Sequence, residues 1–234
     1  MDSELYYTGP LVIFDLDDTL YKELDFLKSG FKAVAEIAAP LVGRTPAQTF
    51  AFMLDKRKCG DNVFDALATL ADTPDKEDFV RKAVETYRFH KPDISLSQGA
   101  REMLETLSGL GVRLGIVTDG RSLSQRNKLK ALDIEKYFPP CNIFISEETG
   151  VDKRSFKPWQ SLVHRYPNAR RFVYVGDNPA KDFRMPNILG WNTIGLRDTA
   201  GVNIHSQEAA CSDTDKPQLW VDSLSELTDY LTSI

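Results

Sequence analysis

The sequence predicts an α/β protein whose core is an open, Rossmann-like parallel sheet with helices on both faces, accompanied by a small all-helical domain. Short apolar runs such as residues 11–14 have the character of strands buried on both faces. After residue 93 such runs alternate with helical segments, a pattern typical of parallel sheets with right-handed crossovers. Residues 20–93 show helical periodicity alone. We therefore expect a core made of residues 1–19 and 94–234 and a helical domain at 20–93.

The helical domain contains four predicted helices. Apolar residues recur at steps of three and four over residues 24–41, which predicts one amphipathic helix. Thr45 and Thr73 are each followed by proline, and an N-cap followed by proline predicts that a helix begins at each of these sites. A further short helix is expected at residues 63–70.

The rest of the chain predicts the remaining elements of the core. The predicted helices are 97–110, 122–132, one near 159–165 and a terminal helix capped by Ser223. The predicted strands are 112–118, 143–145, 172–175, 192–196 and 219–221. Residues 198–218 are rich in Ser, Asp, Thr and Gly and are predicted to form a loop.

Composition excludes several classes of protein. The 29 Lys and Arg against 34 Asp and Glu give a net charge of −5, without the cationic excess expected of a nucleic-acid binder. No signal peptide or membrane span is visible, so no membrane partner is expected. Cys59, Cys141 and Cys211 are too widely spaced for a zinc site or a disulfide framework. These features predict a cytoplasmic protein with reduced thiols, either a monomer or a homodimer.

Polar side chains follow three of the predicted strands, at the point where each strand ends. They are Asp15 and Asp17, Thr118 and Asp119, and Asp177 and Asp182. Ligands of open parallel sheets bind outside the carboxyl ends of the strands, so we expect these side chains to meet at one edge of the sheet. Carboxylates crowded in this way repel one another unless a cation lies between them.

The expected cation is Mg²⁺, because the available ligands are oxygen atoms of acidic groups. His90, His164 and His205 have no partner at metal-ligand spacing and are assigned to surface or packing roles.

The metal would leave room for a phosphate group of a substrate. On the side away from the metal, the phosphate would be bound by the Thr118 hydroxyl, the backbone amides at Asp119 and Gly120, and a lysine. Arg121 is a candidate contact for a further anionic group of the substrate.

Three segments resemble a known family. FDLDDTL at residues 14–20, VTDG at 117–120 and VGDNPAKD at 175–182 are similar to the first, second and fourth motifs of the haloacid dehalogenase-like hydrolase superfamily. Their order, spacing and strand context agree, and the resemblance covers essentially the whole chain. It implies that the helical domain is a cap over the active site.

The resemblance implies a role for each carboxylate. Asp15 would be the nucleophile that forms an aspartyl-phosphate and also a metal ligand. Asp17 would be the general acid and then the base, and its backbone carbonyl would join the metal ligands. Asp177 would bind the metal directly or through water. Asp182 would either bind the metal itself or hold the metal-binding residues in place.

The family also uses a lysine that neutralises the phosphate and the nucleophile, and two residues are candidates. Lys157 precedes proline, as this lysine usually does in the family, whereas Lys153 is followed by Arg154. Matching residues 147–153 to the usual lead-in favours Lys153, which also lies at a suitable distance before Asp177.

The predicted function is a Mg²⁺-dependent phosphatase that hydrolyses a small phosphorylated metabolite, such as a sugar phosphate, a nucleotide or a short organic phosphate. The resemblance is strongest to phosphoglycolate-phosphatase-like and nucleotidase-like members with helical caps. A dehalogenase is disfavoured, because those enzymes lack the carboxylate that Asp17 supplies. A phosphomutase and a non-catalytic protein that binds a phosphorylated ligand remain as alternatives.

Overall fold

A six-stranded parallel sheet forms the centre of the computed structural model, which describes residues 4–208 and 212–233. Its strands are β1 (Pro10–Phe14), β2 (Arg113–Thr118), β3 (Ile143–Ile145), β4 (Arg171–Gly176), β5 (Asn192–Leu196) and β6 (Leu219–Val221). They lie in the order β3-β2-β1-β4-β5-β6, and every neighbouring pair is parallel. This confirms the predicted α/β fold with a Rossmann-like sheet.

The central strand β1 explains why the sequence forms this core. All five of its residues are buried, and β1 pairs with β2 on one side and β4 on the other. Leu11 and Ile13 pack into an apolar cluster that includes Trp159 and Tyr174. The strand order reverses between β1 and β4, and this topology opens a crevice at the carboxyl ends of these two strands.

Ten helices are present in the described residues. They are α1 (Glu23–Ala38), α2 (Pro46–Lys58), α3 (Val63–Leu70), α4 (Lys76–Phe89), α5 (Gln98–Gly109), α6 (Ser122–Ala131), α7 (Ser146–Thr149), α8 (Lys157–Arg165), α9 (Arg184–Ile188) and α10 (Leu224–Thr232). Sequence analysis predicted all of these except the short helices α7 and α9. No described helix is long and apolar enough to cross a membrane.

The helix starts agree with the sequence patterns at Thr45 but not at Thr73. Thr45 caps α2 in a reciprocal hydrogen-bonded box with Gln48. The predicted start of α4 at Thr73 is wrong, because the N-cap is Asp75, whose carboxylate accepts a 2.9 Å hydrogen bond from the amide of Asp78. The helix therefore begins two residues later than predicted, and the Thr73 hydroxyl instead accepts a hydrogen bond from the amide of Asp75 at 3.4 Å.

The chain divides into two compact units. One consists of Leu24–Ile94, and the other combines Met1–Glu23 with Ser95–Ile234. Sequence analysis placed these boundaries at residues 20 and 93. Cys59 is exposed and Cys141 partly buried, and both are free thiols. Cys211 lies outside the described residues.

Candidate active site

A polar cavity of about 150 Å³ lies at the carboxyl ends of the central strands. Seven of its lining residues are acidic: Asp15, Asp17, Asp18, Glu23, Asp119, Asp177 and Asp182. The others are Thr118, Lys153, Asn178, Lys181 and His205. The structure therefore brings seven of the nine residues singled out from the sequence to one cavity, whereas Gly120 and Arg121 are not among its lining residues.

Asp15 follows β1 directly and is buried, with 6% of the residue exposed. Its Oδ1 accepts a 2.6 Å hydrogen bond from the amide of Leu16 and lies 2.7 Å from the Lys153 ammonium. Burial raises the pKa of Asp15 and Lys153 lowers it, while the nearby carboxylates of Asp182 and Asp17 raise it further, to about 7. The charged form of this carboxyl group therefore needs positive charge nearby.

Lys153 lies between two carboxylates. Its Nζ is 2.7 Å from Asp15 Oδ1 and 2.8 Å from Asp182 Oδ1. Burial alone would lower the pKa of Lys153, but these two carboxylates outweigh it and raise the pKa, so that the ammonium stays charged. Lys157, the other candidate from the sequence, is exposed and donates to the carbonyl of Thr149.

The backbone of Lys153 is fixed from two sides. Its amide donates to Asp119 Oδ1 at 3.1 Å, and its carbonyl accepts from the indole N–H of the buried Trp159 at 2.9 Å. Trp159 belongs to the apolar cluster on the sheet. The position of the lysine is therefore tied to the packing of the core.

Asp15, Asp177 and Asp182 form a cluster suited to a metal ion. One carboxylate oxygen from each lies within 4.8 Å of the others, and all three residues are buried. Burial and the neighbouring carboxylates of Asp182 and Asp15 raise the pKa of Asp177 to about 9. This mutual repulsion is what a bound divalent cation relieves, and oxygen donors suit Mg²⁺, so the residues fit the expected ion.

Asp182 differs from the other two members of this cluster because four donors already bind its oxygens. Lys153 and the Tyr174 hydroxyl donate to Oδ1, and the amides of Asp177 and Asn178 donate to Oδ2. Asp177 accepts at Oδ2 from the Asn203 side chain at 2.9 Å. With these four donors bound, Asp182 has fewer free lone pairs to offer a metal ion than Asp15 or Asp177 has.

Asp17 lies beside a second buried lysine. Lys128, on α6, is 4% exposed, and its Nζ lies 2.7 and 2.9 Å from the two carboxylate oxygens of Asp17. The side chains of Gln125 and Tyr21 also donate to this carboxylate. Burial would raise the pKa of Asp17, but the Lys128 ammonium and these hydrogen bonds outweigh it and lower the pKa.

The residues at the end of β2 and just after it divide into two groups. Thr118 is buried and lines the cavity, and its hydroxyl accepts from Gln125 at 2.6 Å. The amide of Gly120 donates instead to the Ser146 hydroxyl at 2.9 Å. Arg121 is exposed and paired with Glu147 at 2.8 Å, so in this structure its guanidinium is directed to that carboxylate.

Sequence analysis missed several residues at this site. Lys128 and Gln125 had no usable signal, because they share the buried face of α6 with Leu129 but the sequence of this largely polar helix does not mark that face. His205, which had been assigned to a surface or packing role, lines the cavity. It belongs to a segment whose Asn203 and Gln207 bind the side chain and the carbonyl of Asp177.

Known proteins resemble this chain in sequence over most of its length. A model of the haloacid dehalogenase-like hydrolase family matches residues 12–196. The chain is 26% identical to a glyceraldehyde 3-phosphate phosphatase of Methanocaldococcus jannaschii over 233 residues, which cover 95% of this chain and 97% of that protein. It is 27% identical to a ribulose-1,5-bisphosphate 5-phosphatase of Halopiger xanaduensis, with 94% of this chain and 98% of that protein covered.

Solved structures show the same fold. The crystal structure of a 2-haloacid dehalogenase from Pseudomonas syringae superposes with a TM-score of 0.62 at 20% identity, covering 97% of this chain and 99% of that one. The family model spans most of the chain and includes Asp15 and Asp177, which follow β1 and β4. The chain therefore belongs to the haloacid dehalogenase-like hydrolase family.

Proposed function

We propose that this chain is a Mg²⁺-dependent phosphatase that hydrolyses small sugar phosphates through an aspartyl-phosphate. The observation that carries the proposal is the meeting of Asp15, Asp17 and Lys153 at one polar cavity. Asp177 and Asp182 lie close enough to Asp15 to share a metal ion with it. A carboxylate beside a metal site and a buried ammonium is suited to attack phosphorus.

The reaction has two displacements at phosphorus. In the first, a carboxylate oxygen of Asp15 forms a bond to phosphorus, the ester P–O bond breaks, and Asp17 gives its proton to the departing alkoxide. In the second, water attacks phosphorus, Asp17 takes a proton from that water, and the bond from Asp15 to phosphorus breaks. The products are an alcohol and inorganic phosphate, and both aspartates return to their initial states.

The side chains of Asp15 and Asp177 would hold Mg²⁺, together with the backbone carbonyl of Asp17. Asp182 would support these ligands without binding the ion itself. The ion would supply positive charge that stabilises the phosphoryl oxygens in the transition state. Lys153 would neutralise the phosphate from the other side, and the Thr118 hydroxyl would donate to a phosphoryl oxygen. Gly120 and Arg121 remain proposed contacts, and each would have to leave its present partner to reach a substrate.

The substrate class is inferred from two sources. The cavity is small and polar, which suits a phosphate on a short polar carbon chain. The two relatives described above are named for phosphatase activity on a triose phosphate and on a pentulose bisphosphate. We propose that the enzyme works in the cytoplasm, in agreement with the widely spaced cysteines, and needs neither nucleic acid nor a membrane.

The test is release of inorganic phosphate from p-nitrophenyl phosphate and a panel of sugar phosphates, with Mg²⁺ and with EDTA. Wild type is compared with Asp15→Asn and with Asp229→Asn, a matched change at an exposed aspartate of α10. We expect release that requires Mg²⁺, is lost in Asp15→Asn and is kept in Asp229→Asn. A folded, Mg²⁺-loaded protein that isomerises a sugar phosphate without releasing phosphate would be a mutase and would contradict the proposal.

A further inference from the structure

We propose that His205 is a specificity-determining residue, whose ring hydrogen-bonds to a hydroxyl group of the substrate beyond the phosphate. This inference rests on the proposed function, because it names a contact that a sugar phosphate would make at the same cavity. His205 lines that cavity. It belongs to a strap, residues 198–207, which follows β5 and contains no helix or strand. Hydrogen bonds along the strap decide where its backbone lies.

The strap is closed at its base by Gln207. The side-chain oxygen of Gln207 accepts a 2.8 Å hydrogen bond from the amide of Asp198, which brings the two ends of the strap together. Its side-chain nitrogen donates to the carbonyls of Leu196 and Asp177, at 2.8 and 2.9 Å. One amide group therefore joins the strap to the carboxyl ends of β5 and β4. Loops whose ends meet in this way are compact and frequently functional.

Asn203 joins the middle of the strap to a residue of the candidate metal cluster. Its side-chain nitrogen donates to Asp177 Oδ2 at 2.9 Å, and its side-chain oxygen accepts from the Lys22 ammonium at 2.8 Å. An ammonium can only donate, so Lys22 fixes which end of this amide faces Asp177. The backbone amide of Asn203 donates to Asp198 Oδ2 at 2.7 Å. The strap is therefore held at this point by both side chain and backbone.

The residue before His205 is bound to the segment that follows β1. The amide of Ile204 donates to Asp18 Oδ2 at 3.0 Å. Anchors at Ile204 and at Gln207 therefore lie on both sides of His205 in the chain. The strap is bound to the carboxyl ends of β1, β4 and β5, and the crevice of the sheet lies between the first two of these strands. The backbone at His205 is thus fixed relative to the crevice.

The ring of His205 has hydrogen-bonding capacity that the described part of the chain does not use. The residue is exposed, and none of residues 4–208 and 212–233 makes a hydrogen bond or an ion pair with its ring. A neutral imidazole offers one donor and one acceptor, which match a hydroxyl group. Seven acidic residues and two lysines line the same cavity. A hydroxyl group therefore suits these surroundings better than a second anionic group, which the carboxylates would repel.

The contact predicts an effect that depends on the hydroxyl groups of the substrate. Glycerol phosphate and propyl phosphate have carbon chains of the same length and both release an alkoxide, but only glycerol carries hydroxyl groups beyond the ester. The ratio of their kcat/KM values therefore isolates what those hydroxyl groups contribute to the transition state. Loss of one hydrogen bond between uncharged groups should lower this ratio about threefold to tenfold.

The experiment measures kcat/KM for both esters with saturating Mg²⁺ in wild type, His205→Ala and His205→Gln. His164→Ala is the matched control, because His164 is an exposed histidine of α8 that does not line the cavity. We expect His205→Ala to lower the ratio of glycerol phosphate to propyl phosphate about threefold to tenfold. His205→Gln keeps a donor and an acceptor and should recover part of the ratio, and His164→Ala should keep the wild-type ratio.

The other outcomes contradict the inference or the proposed function, and they can be told apart. Equal losses on both esters in His205→Ala would show that the ring supports the site without contacting a hydroxyl group. A ratio that stays the same or rises in this variant would show that the ring makes no favourable contact beyond the phosphate. Failure of the wild type to release phosphate from either ester would instead refute the proposed function, and the inference with it.

Discussion

The carboxylate of Asp182 occupies space that only a glycine at position 176 leaves open. A Cβ built on Gly176 would lie 2.5 Å from Asp182 Oδ2 and 2.8 Å from its Cγ. Real Cβ atoms do not approach other atoms so closely, and Asp182 is held in place by four donors. The last residue of β4 and the carboxylate that orders the site are therefore sterically coupled.

We accordingly expect Gly176→Ala to displace the Asp182 carboxylate and to lower activity at least about tenfold, with weaker Mg²⁺ binding, since supporting groups of a metal site typically contribute about 10–100-fold. The measurement is phosphate release as a function of Mg²⁺ concentration. Gly99→Ala is the matched control, because its added methyl would meet only ordinary contacts at 3.7 Å. Equal effects of the two substitutions would contradict the steric coupling.

Lys153→Met should destabilise the protein and abolish activity. The substitution removes the cation between Asp15 and Asp182 and leaves two buried carboxylates facing each other without it. Loss of one partner from a buried ion pair typically costs about 3–5 kcal/mol. Urea denaturation without Mg²⁺ measures this loss. Lys157→Met is the control, and a comparable loss of activity in that variant would contradict the assignment of the phosphate-binding role to Lys153.

Stabilisation by Mg²⁺ should grow with pH. The pKa values of Asp15 and Asp177 rise from an ordinary 3.8 to about 7 and about 9 in the folded chain. Between pH 4 and these values the folded metal-free protein holds more protons than the unfolded chain, so its stability falls as pH rises. Mg²⁺ binds the ionised carboxylates and offsets this loss. We expect a larger rise in Tm on adding Mg²⁺ at about pH 8 than at about pH 5.5, and the reverse order would contradict it.

Asp177→Asn should separate stability from function. Burial and the neighbouring carboxylates raise the pKa of Asp177 to about 9, so the metal-free wild type must take up a proton at this group when it folds at neutral pH. A neutral amide avoids that cost, so the metal-free variant should be about 1–2 kcal/mol more stable than wild type. The same change removes a proposed metal ligand and should abolish phosphate release. Thermal unfolding in EDTA and an activity assay in Mg²⁺ test the two halves separately. A variant that is less stable in EDTA would show that the carboxylate is not under repulsion.

The predicted parts of the site share one physical origin. Asp15, Thr118 and Asp177 each lie at the carboxyl end of an apolar strand, and the parallel topology brings such positions to one edge of the sheet. The strand pattern was therefore sufficient to predict that they meet. Their family resemblance added roles, and the fold class is confirmed by the observed strand order.

The other parts depend on side-chain direction, which strand and helix patterns do not specify. Lys128 approaches Asp17 because of how α6 is rotated on the sheet, and that rotation is set by packing. Asn203 reaches Asp177 from a segment without regular structure, where the sequence predicted only a loop. The match of residues 147–153 favoured Lys153 over Lys157 before any coordinates, and in the structure the Lys153 ammonium contacts Asp15 while Lys157 donates to the Thr149 carbonyl.

The pairing of β1 with β4 has a consequence for the order of synthesis. Asp15 is made before its carboxylate partners Asp177 and Asp182, which come about 160 residues later in the chain. A nascent chain on the ribosome therefore holds the proposed nucleophile and half of its sheet without the residues that would bind the metal. The site is completed only when β4 inserts beside β1, so we expect an unfinished chain to be inactive and, before that point, to present one side of β1 as an unpaired strand edge for chaperones to shield.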